Sequence, residues 1–250
     1  MTKYEQLLNN LDTLKFKINH ELINEVLTDI DNTNISIIEG LLKITELEKE
    51  ERRKSRDIIN IRVASFPFIK TLDDFDFNYQ PTINESLIRN LAAGSFIYNK
   101  ENIIFYGNSG TGKTHLATAL GIASIKNNFS TYFIKASKLF ENLVKAKEQN
   151  RLEDRLKQYC KYQVLIIDEL GYLPINKEDS TLFFQLVDRR YETKSTIITT
   201  NISFNNWQSI FQDSKTTAAI VDRLLHHSKI ITIAGKSYRL KDILSEEQKQ

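Results

Sequence analysis

The chain has 250 residues, 41% hydrophobic and 26% charged, enough for one full α/β domain and a smaller module. A net charge of +2 is too mild to announce a nucleic-acid binder by bulk electrostatics, and no uninterrupted apolar run reaches the ~18 residues of a membrane span. The N-terminus MTKYEQLLNNLDTLK lacks the apolar stretch of a signal peptide, and a single cysteine, Cys160, leaves no disulfide to form within the chain, so a cytoplasmic protein is expected.

The first third of the chain has helical spacing. Leu7, Leu8, Leu11 and Leu14, then Leu22, Ile23, Val26, Leu27 and Ile30, then Ile37, Ile38, Leu41 and Leu42 predict two or three amphipathic helices with a break at Asp31-Asn32-Thr33-Asn34. The third runs into TELEKEERRKSRDIINIR, where acids give way to Arg52, Arg53, Lys54 and Arg56. Two readings stand: a solvated helix with Glu48 and Arg52 paired one turn apart, or a strip of cations that contacts nucleic-acid phosphates. Pro67 and TLDDFDFNYQP then read as a linker, which places a boundary between a helical module, residues 1–66, and a second domain, residues 67–250.

Past Asn99 the texture changes. NIIFY (102–106), TYFI (131–134), QVLII (163–167), STIIT (195–199) and KIITI (229–233) are candidate strands, with helical spacing between them at Leu116, Ala119, Leu120 and Ala123 and at Leu182, Phe183, Leu186 and Val187. Apolar strands separated by crossover helices predict an α/β domain with a parallel sheet.

The first of these strands leads into GNSGTGKTH. In a chain of 8 glycines, three stand here, and the stretch matches G-x-x-x-x-G-K-[ST] between a strand and a helix. The pattern makes Gly107, Asn108, Ser109, Gly110, Thr111, Gly112, Lys113, Thr114 and His115 a phosphate-binding loop. Its amides and helix N-terminus surround phosphates, Lys113 reaches the β/γ oxygens, and the Thr114 hydroxyl holds Mg²⁺. The third strand ends in Asp168 and Glu169, at the sheet edge where open α/β proteins bind ligands. Asp168 is expected in the Mg²⁺ shell and Glu169 as the base that takes a proton from attacking water, which argues for hydrolysis. Asn201, after STIITT, suits the orientation of that water.

Downstream, Asp222 and Arg223 interrupt an apolar helix. They read either as a surface ion pair or as an arginine that reaches a neighbouring subunit's γ-phosphate. His226 and His227 have no Cys or His partner at metal-ligand spacing, and packing or surface roles are expected of them. Cys160 is expected to be a small semi-buried residue.

Taken in order, GNSGTGKTHLA, LIIDELGYLP, ITTN, Trp207, VDRLLHHS and GKSYRLK resemble the IstB-like helper ATPases of bacterial insertion sequences, a group similar to the DnaC and DnaI helicase loaders within the AAA+ superfamily. The resemblance runs from about Thr71 to Lys241. It implies ATP and Mg²⁺ as cofactors, Lys113 and Thr114 as the Walker A pair, Asp168 and Glu169 as the Walker B pair, Asn201 as sensor 1 and Arg223 as the arginine finger. Arg239 is a second-arginine candidate for nucleotide contact. The implied fold is a five-stranded parallel sheet in 5-1-4-3-2 order, with a helical insertion from Ser137 to Tyr159 of the kind that engages DNA or stacks subunits, and with no room after Arg239 for a C-terminal lid. Phe75, Phe77 and Tyr79 resemble the family's segment beside the adenine pocket. The implied activity is that of an ATPase that forms oligomers with shared ATP sites on duplex DNA and helps a transposase choose its target; a replicative-helicase loader and a nucleotide-gated adaptor with negligible hydrolysis are the rivals.

Overall fold

The computed structural model of the protein describes residues 1–238 other than 33, 173, 174 and 212, with the backbone alone at 205, 208 and 209. Arg239 lies outside the described residues. The chain divides into two compact units, Met1–Ile59 and Asn60–Gln250.

In the first unit, α1 (Lys3–Thr13) opens on a capping box, in which the Thr2 hydroxyl accepts from the Glu5 amide while the Glu5 carboxylate accepts from the Thr2 amide. Asn19 caps α2 (His20–Asp31), and α3 (Ile37–Val63) follows, its last four residues belonging to the second unit. Ile18, Ile23, Val26 and Ile44 form a small core, flanked by the partly buried Leu8, Leu11 and Leu22. Glu48 is buried beside this core at 5% exposure. Its Oε2 accepts the amides of Lys17 (2.6 Å) and Ile18 (2.9 Å) in the α1–α2 connection, and its Oε1 accepts from Arg52. The Glu48–Arg52 pair therefore forms at the expected spacing, but its acid is a buried staple for a backbone turn. Burial works against the Glu48 carboxylate, yet the bonds from Arg52, Lys17 and Ile18 outweigh it and hold the group below its ordinary range.

In the second unit, α4 (Glu85–Ala92) and α5 (Ser95–Tyr98) precede β1 (Asn102–Gly107), α6 (Lys113–Lys126), β2 (Thr131–Lys135), α7 (Ala136–Glu148), α8 (Leu152–Lys161), β3 (Val164–Asp168), α9 (Lys177–Arg190), β4 (Ser195–Thr200), α10 (Trp207–Ile210), α11 (Ser214–His226) and β5 (Ser228–Ile233). The sheet is wholly parallel, ordered β2-β3-β4-β1-β5. This is the α/β fold with the expected strand order, and each strand extends at most one residue beyond the predicted run at either end. The helical insertion resolves into α7 and α8.

Strand periodicity sorts side chains between the two faces. Ile104, Leu165, Ile167 and Ile198 face one core with Leu139 of α7, Tyr159 of α8, Phe183 of α9 and Leu224 of α11. Ile103, Phe105, Ile166 and Ile197 face the other with Leu91 of α4, Phe96 of α5 and Leu116 and Leu120 of α6. Both faces are covered, which is why the strands read as continuous apolar runs rather than alternating ones.

Arg190, 2% exposed at the end of α9, crosses this core. Its guanidinium donates to the carbonyls of Tyr159 (2.9 Å), Tyr162 (2.9 Å) and Ser195 (2.6 Å) and to the Thr196 hydroxyl (3.1 Å), so one side chain ties the α8–β3 connection to the start of β4. Burial brings its pKa down to about 10, so it stays charged at neutral pH. Cys160 is half-buried, and burial pushes its thiol up, away from the range of a nucleophile.

Among the described residues, no helix is long and apolar enough to cross a membrane.

Candidate functional site

A parallel sheet delivers the ends of its strands to one edge, and here that edge carries the chemistry. The pairing sets Lys135 of β2 opposite Asp168 of β3, Tyr106 of β1 opposite Thr200 of β4, and Gly107 opposite Ile233 of β5. Above it opens a cavity of about 380 Å³, walled by Ser109 to His115 from the loop, Asp168 at the end of β3 and Glu169 after it, and Thr199, Thr200 and Asn201 at the end of β4.

The loop's glycines answer to backbone geometry. Gly112, the N-cap of α6, has φ +99°, and a Cβ there would stand 2.6 Å from the Phe75 ring. Gly110 has φ +79°, and its carbonyl accepts the Tyr238 amide at 2.9 Å. A side chain at either position meets a forbidden conformation and an occupied space at once.

Lys113 Nζ donates to the carbonyls of Gly107 (2.8 Å) and Asn108 (2.7 Å) of the same loop. Thr114 Oγ1, one residue on, donates to Asp168 Oδ1 at 2.9 Å, and Thr199 Oγ1 donates to the same oxygen at 2.6 Å. Asp168 is 1% exposed. Burial pushes its carboxyl above the usual carboxylate range, while the two hydroxyls partly hold it back. A desolvated carboxylate between two hydroxyl oxygens is an all-oxygen donor set of the kind that suits Mg²⁺.

Glu169 adopts the left-handed region at φ +60°, a conformation that costs a non-glycine residue roughly 1 kcal/mol. The Thr199 hydroxyl accepts its amide at 2.9 Å, and Lys135 Nζ donates to its Oε2 at 2.9 Å. The strained turn and these two contacts place the carboxylate on the cavity wall.

His115 Nε2 meets the Thr71 carbonyl at 2.9 Å, and its ring lies edge-on to Phe75, with burial holding its pKa down. Of the three aromatics singled out in sequence, Phe75 lines the cavity. Phe77 packs into the core beneath it, and Tyr79 donates its hydroxyl to the Ser237 carbonyl at 3.2 Å. Phe68, Tyr172 and Tyr238 line the cavity as well.

Arg223 does not line the cavity. It lies on α11, where its Nε donates to Asp188 of α9 at 2.8 Å and its guanidinium rests 4.8 Å over the Phe184 ring. In the other unit, Arg52, Arg53, Lys54 and Arg56 each sit beside an acid of their own helix, Glu48, Glu50, Glu51 and Asp57 respectively.

Lys135, Thr199, Phe68 and Tyr238 were not singled out from sequence. A lysine that ends an apolar strand was the available signal for Lys135. The others carry none, because they reach the cavity through pairing register and chain return.

The family described as IstB-like ATP binding protein matches residues 9–245. An insertion sequence IS232 protein of Bacillus thuringiensis subsp. berliner, named as an ATP-binding protein, is 49% identical over 98% of both chains. The corresponding IS5376 protein of Geobacillus stearothermophilus is 43% identical over 87% of this chain and 86% of its own. Among solved structures, the DnaC helicase loader is similar with a TM-score of 0.50 and 25% identity, over 65% of this chain and 96% of its own. DnaA of Aquifex aeolicus bound to AMPPCP gives a TM-score of 0.58 at 17% identity, over 74% of this chain. The match spans only 57% of that DnaA chain, so the likeness is one of fold.

Proposed function

Because the chain belongs to the family of IstB-like ATP binding proteins, we propose that it is a Mg²⁺-dependent ATPase that assembles on duplex DNA and assists a transposase in selecting or capturing target DNA. The observation that carries the reading is the 2.9 Å bond from Thr114 Oγ1 to Asp168 Oδ1, which brings together two motifs 54 residues apart at the floor of one cavity.

On this reading the loop amides and the N-terminus of α6 hold the triphosphate. Lys113 leaves the carbonyls of Gly107 and Asn108 for the β/γ oxygens. Thr114 and Asp168 hold Mg²⁺, which when bound neutralises charge on the phosphate oxygens. Glu169 accepts the proton of the attacking water, Asn201 orients that water, and Phe75 or Phe68 packs on the base. Arg223 acts across a subunit boundary, on the γ-phosphate of a neighbour. The helical unit meets the partner or the DNA.

Turnover by Glu169→Gln and nucleotide binding by Lys113→Ala test the chemistry. Loss of turnover with retained binding in the first, and loss of binding in the second, are the expected results. Mixing inactive Lys113→Ala with Arg223→Ala tests the shared site, since recovery of activity requires an arginine supplied in trans.

A helicase-loader reading is favoured by one observation, the match to 96% of the DnaC helicase loader chain. Capture experiments with the full chain, scored for transposase against replicative helicase, separate the two.

A further inference from the structure

The two histidines that end α11 are not alone in space. His226 is the last residue of that helix and His227 its C-cap, and the turn after α9 brings Glu192 to them. One donor atom from each of Glu192, His226 and His227 falls within 4.8 Å of the other two. His227 Nε2 stands 3.4 Å from Glu192 Oε1. Bonds of about 2.1 Å in a tetrahedral zinc site put neighbouring donors about 3.4 Å apart, so this pair already has the required spacing.

The surroundings favour the same chemistry. The Tyr191 hydroxyl lies 2.7 Å from His226 Nδ1, and in the tautomer whose Nδ1–H donates to that oxygen the lone pair on Nε2 is left for a metal. A hydrogen bond on the far nitrogen is the usual means by which proteins fix the tautomer and orientation of a metal-bound imidazole. The backbone of Glu192 is held in the left-handed region at φ +55°, in the turn formed by the bonds of Thr193 and Lys194 amides to the Arg190 carbonyl at 3.1 and 3.0 Å. Both histidines sit at the negative end of the α11 dipole, which attracts a cation. The nearby cations Arg223 and Lys229 are neutralised by Asp188 and Glu101.

We infer that Glu192, His226 and His227 bind one divalent transition ion, zinc by the chemistry of two imidazoles and a carboxylate, with solvent completing the shell. The three side chains are exposed, so small rotations close the remaining distance. The ion would join the turn after α9 to the end of α11, the two helices that Arg223 and Asp188 already bridge. Its role is that of a clasp on the helix that carries the arginine, and the inference rests on these residues alone, independently of the nucleotide site.

The test is zinc binding to the full, chelator-treated, nucleotide-free chain, by calorimetry and by competition with a zinc indicator. One ion per chain is expected, with a rise in Tm on addition. Glu192→Gln and His227→Ala should each weaken binding at least about 10-fold and remove the rise in Tm, and Tyr191→Phe should weaken it by a smaller factor. Asp168→Asn should bind zinc as the unmodified chain does, which excludes the nucleotide cavity as the source. If His227→Ala fails to fold, Glu192→Gln on its exposed turn decides alone. No stoichiometric zinc, or binding undiminished in Glu192→Gln, overturns the site.

Discussion

The two units present their charged groups in opposite ways. At the sheet edge, charged and polar groups from six places in the sequence converge on one cavity, and Asp168 and Thr199 have been drawn out of water to do so. In the helical unit, Arg52, Arg53, Lys54 and Arg56 lie in sequence order along one helix, each beside an acid of that same helix. Desolvated, cross-linked polar groups carry a cost that a fold sustains only where chemistry or structure requires it. A surface strip of exposed pairs carries almost none, and so says little by itself about what it meets.

The sharpest test of that contrast is at the cavity. Glu169→Gln keeps the size and hydrogen-bonding reach of the side chain but removes the base, and a ~10²–10⁴-fold fall in kcat with nucleotide affinity retained is expected from steady-state turnover and a binding titration. An unchanged kcat would make the strained turn at Glu169 a structural feature only.

Next in size is Arg190, which is polar, buried and outside the nucleotide cavity. Arg190→Met leaves the carbonyls of Tyr159, Tyr162 and Ser195 without their donor. A loss of about 3 kcal/mol in denaturant unfolding is expected. Glu48 is its counterpart in the helical unit. Glu48→Ala orphans the amides of Lys17 and Ile18 and should cost about 1–3 kcal/mol. Because the folded-state pKa of Glu48 is lowered, its contribution is present above the ordinary carboxylate range and is lost as pH falls through the folded value. Acid titration of stability should therefore show a component that Glu48→Ala lacks.

Asp168 carries the reverse sign. Burial raises its folded pKa, so the favourable state is the protonated one, present below the ordinary range and lost as pH rises through the folded value. Above that value the fold bears the cost of the ionised group. Asp168→Asn should thus leave Tm at neutral pH unchanged or slightly raised while abolishing turnover, a result that scanning calorimetry and a phosphate-release assay check together.

The same contrast explains what could be read from the sequence. The strands and the crossover helices were legible because apolar runs and 3.6-residue spacing are local, and the loop because its glycines, Lys113 and Thr114 are contiguous. Lys135 is in sequence only a polar residue beyond an apolar run, and the register sets it opposite Asp168. Arg190, the second of two arginines closing a helix, had the signature of a solvated terminus, and only the packing of α8 and β4 around it makes it a core residue. The i,i+4 spacing offers the Glu48–Arg52 pair as one of two readings, and the pair forms, but the α1–α2 turn that buries Glu48 is tertiary. His226 and His227 found no metal partner in sequence because Glu192 is 34 positions upstream of the first. Local chemistry is written locally; what depends on chain return is not.

The smallest effect bears on the least decided surface. Arg53 and Lys54 are more than half exposed, and their pairs with Glu50 and Glu51 span one turn of helix. Such pairs are worth roughly 0–1 kcal/mol and are screened by salt, so a phosphate can take an acid's place at little cost. Pairing within the helix therefore does not disqualify the strip from DNA. If the strip contacts the backbone of duplex DNA, replacing Arg53 and Lys54 with Ala should lower the slope of log affinity against log salt by about 1 for each contact removed, uniformly across DNA sequences. An unchanged slope would leave these cations as the solvated face of α3, and the DNA-binding surface would have to be sought in the other unit, with α7 and α8 the next candidates.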